Sequence, residues 1–258
     1  MPKLIDLSVA LDPDIVSDPA IMTPTVDYLA HAQTADQVTA FFPGLKTDDL
    51  PGGEGWAIER LAITTHNGTH LDAPYHHHST MDGGERAITI DEVPLDWCYA
   101  AGVRLDFRHF EDGYVATADD VAAELDRIGH ELKPLDIVLV NTSAAAFYGQ
   151  DDYIHKGCGM GREATLYLLE KGVRVTGTDA WSWDAPFSLT AKRYAETSDS
   201  GLIWEGHRAS MEIGYCHLEK LTNLDRLPDS GFTVSCFPYK IKGASAGFTR
   251  EVAIIAEV

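Results

Sequence analysis

The chain is poor in positive charge. Its 258 residues carry 20 Lys and Arg against 40 Asp and Glu, a formal net charge of −20. Such a field repels phosphate backbones and anionic lipid surfaces, so neither nucleic acid nor membrane is expected as a partner. No apolar run approaches the roughly 20 residues that a membrane helix needs. The opening "MPKLIDLSVALDPDI" lacks the basic start and apolar centre of a secretory signal. Cysteine is scarce: Cys98, Cys158, Cys216 and Cys236 lie far apart with no CxxC pair. They read as buried thiols of a reducing compartment, and so of a cytoplasmic protein. No internal repeat, low-complexity tract or Ser/Gly linker divides the sequence, and one domain over residues 1–258 is expected. Hydrophobic residues make up 45% of the chain, enough to fill a substantial core.

Hydrophobic periodicity gives the fold class as α/β. "KLIDLSVAL" (3–11) reads as a strand, and "AIERLAITTH" (57–66) alternates Ile58, Leu61 and Ile63 like a second one leading into a histidine cluster. Residues 12–55 are irregular and rich in Pro, Asp and Thr, the form of an arm or lid. Within them "ADQVTAFFPGL" reads as a short helix stopped by Pro43-Gly44. Val121, Leu125, Ile128 and Leu132 form a helical stripe, with Thr117 as its cap, Asp119 and Asp120 in its first turn and Pro134 as its stop. "DIVLVNTS" (136–143) is a short apolar run of the kind buried on both faces of a sheet. "GREATLYLLEKG" (161–172) is a further helix closed by Gly172, and "VRVTGTDA" (173–180) a further buried strand. Helix, strand, helix, strand at these lengths is an α/β unit with a parallel pair. The tail from residue 231 reads as two strands around a Gly-rich turn. Asn141 to Ser143 and Thr178-Asp179 follow strands, where ligands collect in open α/β sheets, and where turn chemistry alone would also put such residues.

The densest signal is "THNGTHLDAPYHHH", Thr65 to His78, which holds five of the 11 histidines. His66, His70, Asp72 and His76 stand at even offsets. On a straight strand His66 and His70 would lie roughly 13 Å apart, at about 3.3 Å per residue. Ligands bound at about 2 Å cannot reach across that span. The segment therefore holds one ion only if it folds back, and Asn67-Gly68 is a strong reversal signal. Two imidazoles and one carboxylate, His66, His70 and Asp72, leave a four-coordinate ion one open position, the pattern of a catalytic centre. An ion there would bring its water toward a pKa of roughly 7 and polarise a substrate carbonyl. His76 stands next to it as general base and acid. His77 and His78 fall outside the even set and are expected in supporting or surface positions.

"HNGTHLDAPYH" (66–76) resembles the signature H-x-G-T-H-x-D-x-P-x-H of the metal-dependent hydrolases labelled "putative cyclases", the family of bacterial kynurenine formamidases and isatin hydrolases. "LIDLSVAL", "GVRVTGTDAWSWDAP" and "GHRASMEIGYCHLEKLTNLDRLP" are similar to further segments of that family, so the likeness extends over most of the chain. Residues 12–55 and the surroundings of Trp181 and Trp183 depart from its short members. The resemblance implies a swivelling β/β/α domain, metal ligands at His66, His70 and Asp72, and a catalytic histidine at His76. It implies a second ion, reached by the same carboxylate and completed by His207 and Glu219. Spacing alone does not pick out that pair, because twelve residues of helix span roughly 18 Å and end on different faces. One or two ions per chain follow, Zn2+ or Mn2+, since imidazole and carboxylate suit both. Asp179 and Ser182 fall in the Gly-x-Asp-x-x-Ser segment as structural supports. Trp56, Trp181, Trp183 and Phe187 offer an apolar wall for a flat small-molecule carbonyl substrate. Members assemble as homodimers or homotetramers with an N-terminal arm reaching a neighbour's site, a part the segment holding Phe41 and Phe42 would play.

The expected activity is metal-dependent hydrolysis of the C–N bond of a small amide, either a formamide or a cyclic amide. Ring closure of a polyketide is the alternative, with the ion polarising a ketone and His76 removing a proton from carbon. A non-catalytic metal-binding protein is the third reading, against which the open coordination position speaks.

Overall fold

The computed structural model describes residues 1–256. Its strands are β1 (Lys3–Asp6), β2 (Thr25–Leu29), β3 (Ile58–Ala62), β4 (His70–Asp72), β5 (Thr80–Met81), β6 (Glu85–Arg86), β7 (Tyr99–Asp106) and β8 (Val115–Ala116). They continue with β9 (Ile137–Asn141), β10 (Gly159–Met160), β11 (Val175–Thr178), β12 (Cys216–Glu219), β13 (Phe232–Ser235), β14 (Ala246–Phe248) and β15 (Val252–Ile255). The helices are α1 (Ala35–Thr39), α2 (Pro74–His77), α3 (Ala118–Ile128), α4 (Arg162–Glu170), α5 (Phe187–Thr197) and α6 (Glu205–Arg208).

Nine strands make one sheet in the order β1-β15-β13-β7-β9-β11-β12-β4-β14. Its centre, β7 to β12, is parallel, and the strands outside it pair antiparallel. All five residues of β9 are buried. Val138 and Val140 face a core shared with Val121 and Leu125 of α3 and Leu168 of α4, while Ile137 and Leu139 face a second core with Ile5, Leu71, Leu218 and Val234. An apolar run covered on both sides needs those two layers. The sheet curls around the second core. Ser8, just past β1, bridges Leu221, just past β12, and the Thr222 amide donates to the Leu7 carbonyl at 2.9 Å. The first strand in the order thus meets the seventh, and the sheet is a half-barrel with helices outside, a mixed α/β architecture of the expected class.

Local chemistry explains both the agreements and the departures. Thr117 caps α3: its hydroxyl accepts from the Asp120 amide at 3.2 Å, and the Asp120 carboxylate accepts from the Thr117 amide at 2.8 Å. The helix ends at Ile128, earlier than Pro134 suggests, because Gly129 takes a left-handed φ of 66° and closes it. Leu132 therefore lies outside the helix. β3 is a strand, but it pairs only with β2, in a separate ribbon, and all five of its residues are exposed. Residues 12–55 are not structureless; they hold β2, α1 and several single-turn helices. The tail forms three strands rather than two: β13 pairs with β15, and β14 crosses to β4. Glu257 and Val258, at its end, lie outside the described residues. Among the described residues no helix is long and apolar enough to cross a membrane.

Candidate metal centre

Two neighbouring antiparallel strands supply the floor of the centre. In the pairing of β4 with β12, Asp72 faces His217 and His70 faces Glu219. Side chains directly opposed across such a pair stand about 5 Å apart at Cβ. Alternation sends Leu71 and Leu218 into the half-barrel core and leaves the four polar side chains together on the other face.

His66 arrives by a tight fold-back. The Asn67 amide donates to the Thr64 carbonyl at 3.2 Å, and the Asn67 side-chain oxygen accepts from the Thr64 amide at 2.8 Å. Gly68 follows with φ 62°, a conformation glycine adopts without strain. The reversal therefore lies over Thr64–Asn67 rather than in a two-residue hairpin at Asn67-Gly68, and it joins no pair of adjacent strands. His66 Nδ1 ends 3.3 Å from His70 Nε2. His76 is carried by α2, which Pro74 starts; its Nε2 lies 4.0 Å from Asp72 Oδ2, and its ring 4.1 Å from that of His66. His207 is carried by α6. Asp184 fixes it by accepting the Gly206 amide at 2.8 Å, the His207 amide at 3.1 Å and His207 Nδ1.

Asp72 is the hub. Its Oδ1 lies 2.9 Å from His66 Nδ1 and 3.4 Å from His70 Nε2, and its Oδ2 lies 3.2 Å from His217 Nε2. Glu219 Oε1 lies 3.2 Å from His217 Nε2 and 3.8 Å from His207 Nε2, and Glu219 Oε2 lies 3.5 Å from His70 Nε2. Two donors on a tetrahedral ion at about 2 Å stand about 3.3 Å apart, so most of these spacings are those of ligands around an ion. Both Asp72 oxygens are buried without a well-formed hydrogen bond, and a buried carboxylate in that condition calls for a cation. The atoms form two overlapping donor sets that could hold a divalent metal: Asp72, His207, His217 and Glu219, and His66, Asp72 and His76. His70 Nδ1 lies 2.9 Å from the Gly68 carbonyl, which fixes the proton on Nδ1 and turns the Nε2 lone pair toward both carboxylates.

The imidazoles around the two carboxylates hold them ionised. Burial alone would raise Asp72, but His76, His70 and His66 hold its carboxyl well below the usual range. Glu219, opposed by burial too, is brought to about 2, chiefly by its hydrogen bond with His217. Burial works against His217 carrying charge, yet the carboxylates of Asp72 and Glu219, each 3.2 Å from its Nε2, push it to about 9. Burial brings His76 down to about 4, against the pull of Asp72. Two ionised carboxylates sit beneath a roof of imidazoles.

The cavity above is about 210 Å3 and is lined by His66, His76, Trp181, Ser182, Phe187, Trp204 and Glu219, among others. Of the four aromatic residues expected on its wall, Trp181 and Phe187 are there. Trp183 is not: it is fully buried behind the centre, its indole donating to Thr165 at 3.0 Å and its amide to Glu219 at 3.3 Å. Trp56 packs against Phe41 on the projecting segment and does not line this cavity. Asp179 is buried to one side, where it accepts from the amide and hydroxyl of Thr142 at 2.8 and 2.7 Å; burial pushes its carboxyl up to about 6. Asp18, from the irregular segment, pairs with Lys220 and accepts from Asn67 at 3.0 Å and Trp181 at 2.9 Å, while Lys220 Nζ donates to the His66 carbonyl at 2.8 Å. His77 is buried, stacked on His217 at 5.0 Å, whereas His78 is half-exposed, its Nδ1 2.9 Å from the Thr80 hydroxyl. A larger cavity of about 600 Å3 shares no residue with the centre, and its arginines are already paired with Asp106, Glu124 and Asp229.

Sequence reasoning missed His217, Asp184 and Trp204. A usable signal for the first was "CHLE", where His217 and Glu219 two apart on a strand must share a face. Nothing local marks the other two.

Residues 5–185 match the model of a family described as "Putative cyclase". A kynurenine formamidase of Maricaulis maris (strain MCS10) is 27% identical over 252 residues, 98% of this chain and 98% of that one. Another, of Erythrobacter litoralis (strain HTCC2594), is 27% identical over 197 residues, 76% of each. Among solved structures, isatin hydrolase A from Labrenzia aggregata, bound to benzyl benzoate, has a TM-score of 0.75 at 21% identity, covering 99% of this chain and 94% of that one. Isatin hydrolase A from Ralstonia solanacearum has a TM-score of 0.76 at 22% identity, covering 99% and 92%. At such identities these two bear on the fold alone. The family match runs from the first strand through the histidine turn to the segment of Asp179 and Ser182, and on it the chain belongs to the "putative cyclase" family.

Proposed function

We propose that the protein is a metal-dependent amidohydrolase that cleaves the C–N bond of a small amide, a formamide or a cyclic amide, with two zinc or manganese ions. The observation that carries this is Asp72, a fully buried carboxylate whose oxygens lie against two different sets of imidazoles. His66, His70 and Asp72 would hold one ion, and Asp72, His207, His217 and Glu219 the other. The names of the two formamidase relatives support an amide as substrate. A bound divalent ion supplies Lewis acidity toward a carbonyl and a lowered pKa for water.

The chain's own residues supply the rest. His76, kept neutral by burial, stands at the cavity wall with its Nε2 free to take a proton from water and to return it to the leaving nitrogen. Asp72 at 4.0 Å favours the protonated imidazole between those steps. Trp181, Phe187 and Trp204 give the cavity an apolar wall. Asp179 ties the end of β11 to the segment after β9 through Thr142 and Ala145, and Ser182 lines the cavity. The exposed Tyr28, Phe41, Phe42, Ile58 and Leu61 suit burial against a second copy, in a homodimer or homotetramer. Four buried free thiols suit the cytoplasm.

The test is elemental analysis of the purified protein, followed by assay of the zinc- and manganese-loaded forms on formanilide and simple lactams. Two ions per chain and release of the acid product are expected. A fully loaded protein inert toward the whole panel would overturn the proposal.

A further inference from the structure

A second apolar space lies beside the catalytic cavity and is open to solvent along Phe187 and Ile203. This chamber of about 270 Å3 is lined by Ala185, Phe187, Thr190, Ala191, Ile203 and Trp204. Phe187 and Trp204 belong to the walls of both spaces. The chamber offers a polar group little welcome. The Thr190 hydroxyl donates to the Ala185 carbonyl at 3.3 Å, and Asp184, at the same wall, is occupied with α6 and His207.

Trp204 forms the partition. Its ring stacks on His207 at 4.5 Å and 7°, lies 5.1 Å from His76 and faces Phe187 at 6.5 Å. Its backbone sits at φ 56° and ψ 40°, the left-handed region that a bulky side chain rarely adopts. Its indole Nε1 is buried with no acceptor. A strained backbone, an unanswered donor and an aromatic face at the seam between two cavities are features that packing alone does not call for.

We propose that the chamber is a second substrate subsite that receives an apolar group, aryl or branched alkyl, attached to the scissile amide, and that Trp204 sets how that group lies. This rests on the amidase reading and adds a demand on the substrate. An amide without such an appendage fills the catalytic cavity alone. A charged appendage is rejected, because the chamber has no free partner for it.

Formanilides bearing para-hydrogen, para-tert-butyl and para-carboxylate test this on the metal-loaded protein. kcat/KM is expected to be at least tenfold higher for tert-butyl than for hydrogen, mostly through KM, and lowest for carboxylate. Ala191→Phe, on the exposed side of α5, fills the chamber and should bring the tert-butyl to hydrogen ratio close to one; Ile203→Ser should lower it. Trp204→Ala should shift the optimum toward still larger para groups. Equal kcat/KM for hydrogen and tert-butyl, or a ratio that Ala191→Phe leaves unchanged, overturns the subsite. A separate readout covers a protein that hydrolyses none of the three, which would sink the amidase reading. Binding of para-tert-butylbenzoate and benzoate by calorimetry should then still differ at least tenfold and lose that difference in Ala191→Phe. Equal affinities would sink the chamber as well.

Discussion

Asp184→Asn is the sharpest test of the second donor set, because the substitution keeps size and shape while touching no proposed ion. Three donors converge on this carboxylate: the Gly206 amide at 2.8 Å on one oxygen, and the His207 amide at 3.1 Å together with His207 Nδ1 on the other. Asparagine offers one acceptor and two donors. If its NH2 replaces the first oxygen, it meets the Gly206 N–H and the start of α6 loosens. If it replaces the second, His207 loses its partner, and the proton moves to Nε2, the atom that faces Glu219 at 3.8 Å. In the second case the Nε2 lone pair is no longer offered to the ion, and in the first the helix that carries it is loosened. Outer partners of this kind are worth 10- to 100-fold in metal affinity, or about 1.4–2.8 kcal/mol. Competition with a chromophoric chelator should show one of two bound ions weakened by that factor and the other, held by His66 and His70, changed little. Affinity within threefold of the parent at both sites would refute the role given to Asp184, and equal loss at both would refute the division into two sets.

Other consequences follow from the same geometry. His76→Ala should lower turnover about 10²- to 10⁴-fold with both ions retained on elemental analysis; loss of an ion in step with activity would make His76 a ligand, as its place beside His66 and Asp72 allows. Burial lowers His76 to about 4, so its neutral form persists well below the ordinary histidine range. kcat/KM should stay level from pH 7 to about 5 and fall only as pH drops through 4, and an inflection near 6.5 would contradict this. The same depression means that the contribution of His76 to stability is complete above 6.5 and is lost as pH falls toward 4, which acid unfolding of His76→Ala would reveal as a smaller pH dependence. Lys220→Met leaves Asp18 as a buried charge without its cation and should cost about 3–5 kcal/mol in urea denaturation; a change under 1 kcal/mol would show that Trp181 and Asn67 satisfy Asp18 by themselves.

What could be read from the chain was what lies close together along it. His66, His70, Asp72 and His76 fall within eleven residues, and the need to fold back between His66 and His70 follows from strand geometry alone. α3, α4, β9 and β11 could be read because each is a run of one period. Two limits were physical. Alternation marks β3 as a strand without saying which sheet it joins, and an exposed two-stranded ribbon shows the same pattern as a half-buried edge. Trp183 is as aromatic as Trp181, yet one lies behind Glu219 and the other on the cavity, a difference set by the chain's path from β11 to α5. The second donor set was hidden for a stronger reason: Asp72 and His217 become neighbours only because β4, after its fold-back, pairs antiparallel with β12. The family likeness supplied His207 and Glu219 where periodicity could not, but it carried no His217.

Two residues beside the centre sit where the backbone is strained. Trp204 precedes α6, Lys220 follows Glu219, and both have φ near 60°, each at a cost of order 1–3 kcal/mol. At Lys220 the left-handed step takes the chain out of β12 immediately after its last donor. The ammonium can then turn back under the histidine turn to Asp18 and the His66 carbonyl. Had the strand continued straight, alternation would point Lys220 away from Glu219 and into the half-barrel core, where no carboxylate has been placed to meet it. The strain is tolerable because β12 is held on both edges, by β11 and by β4, and because Leu218 and Leu221 on either side are fully packed. Core and centre are thus one construction: the curled sheet fixes the donors in place, and its packing offsets the distortions at the strand ends that aim them.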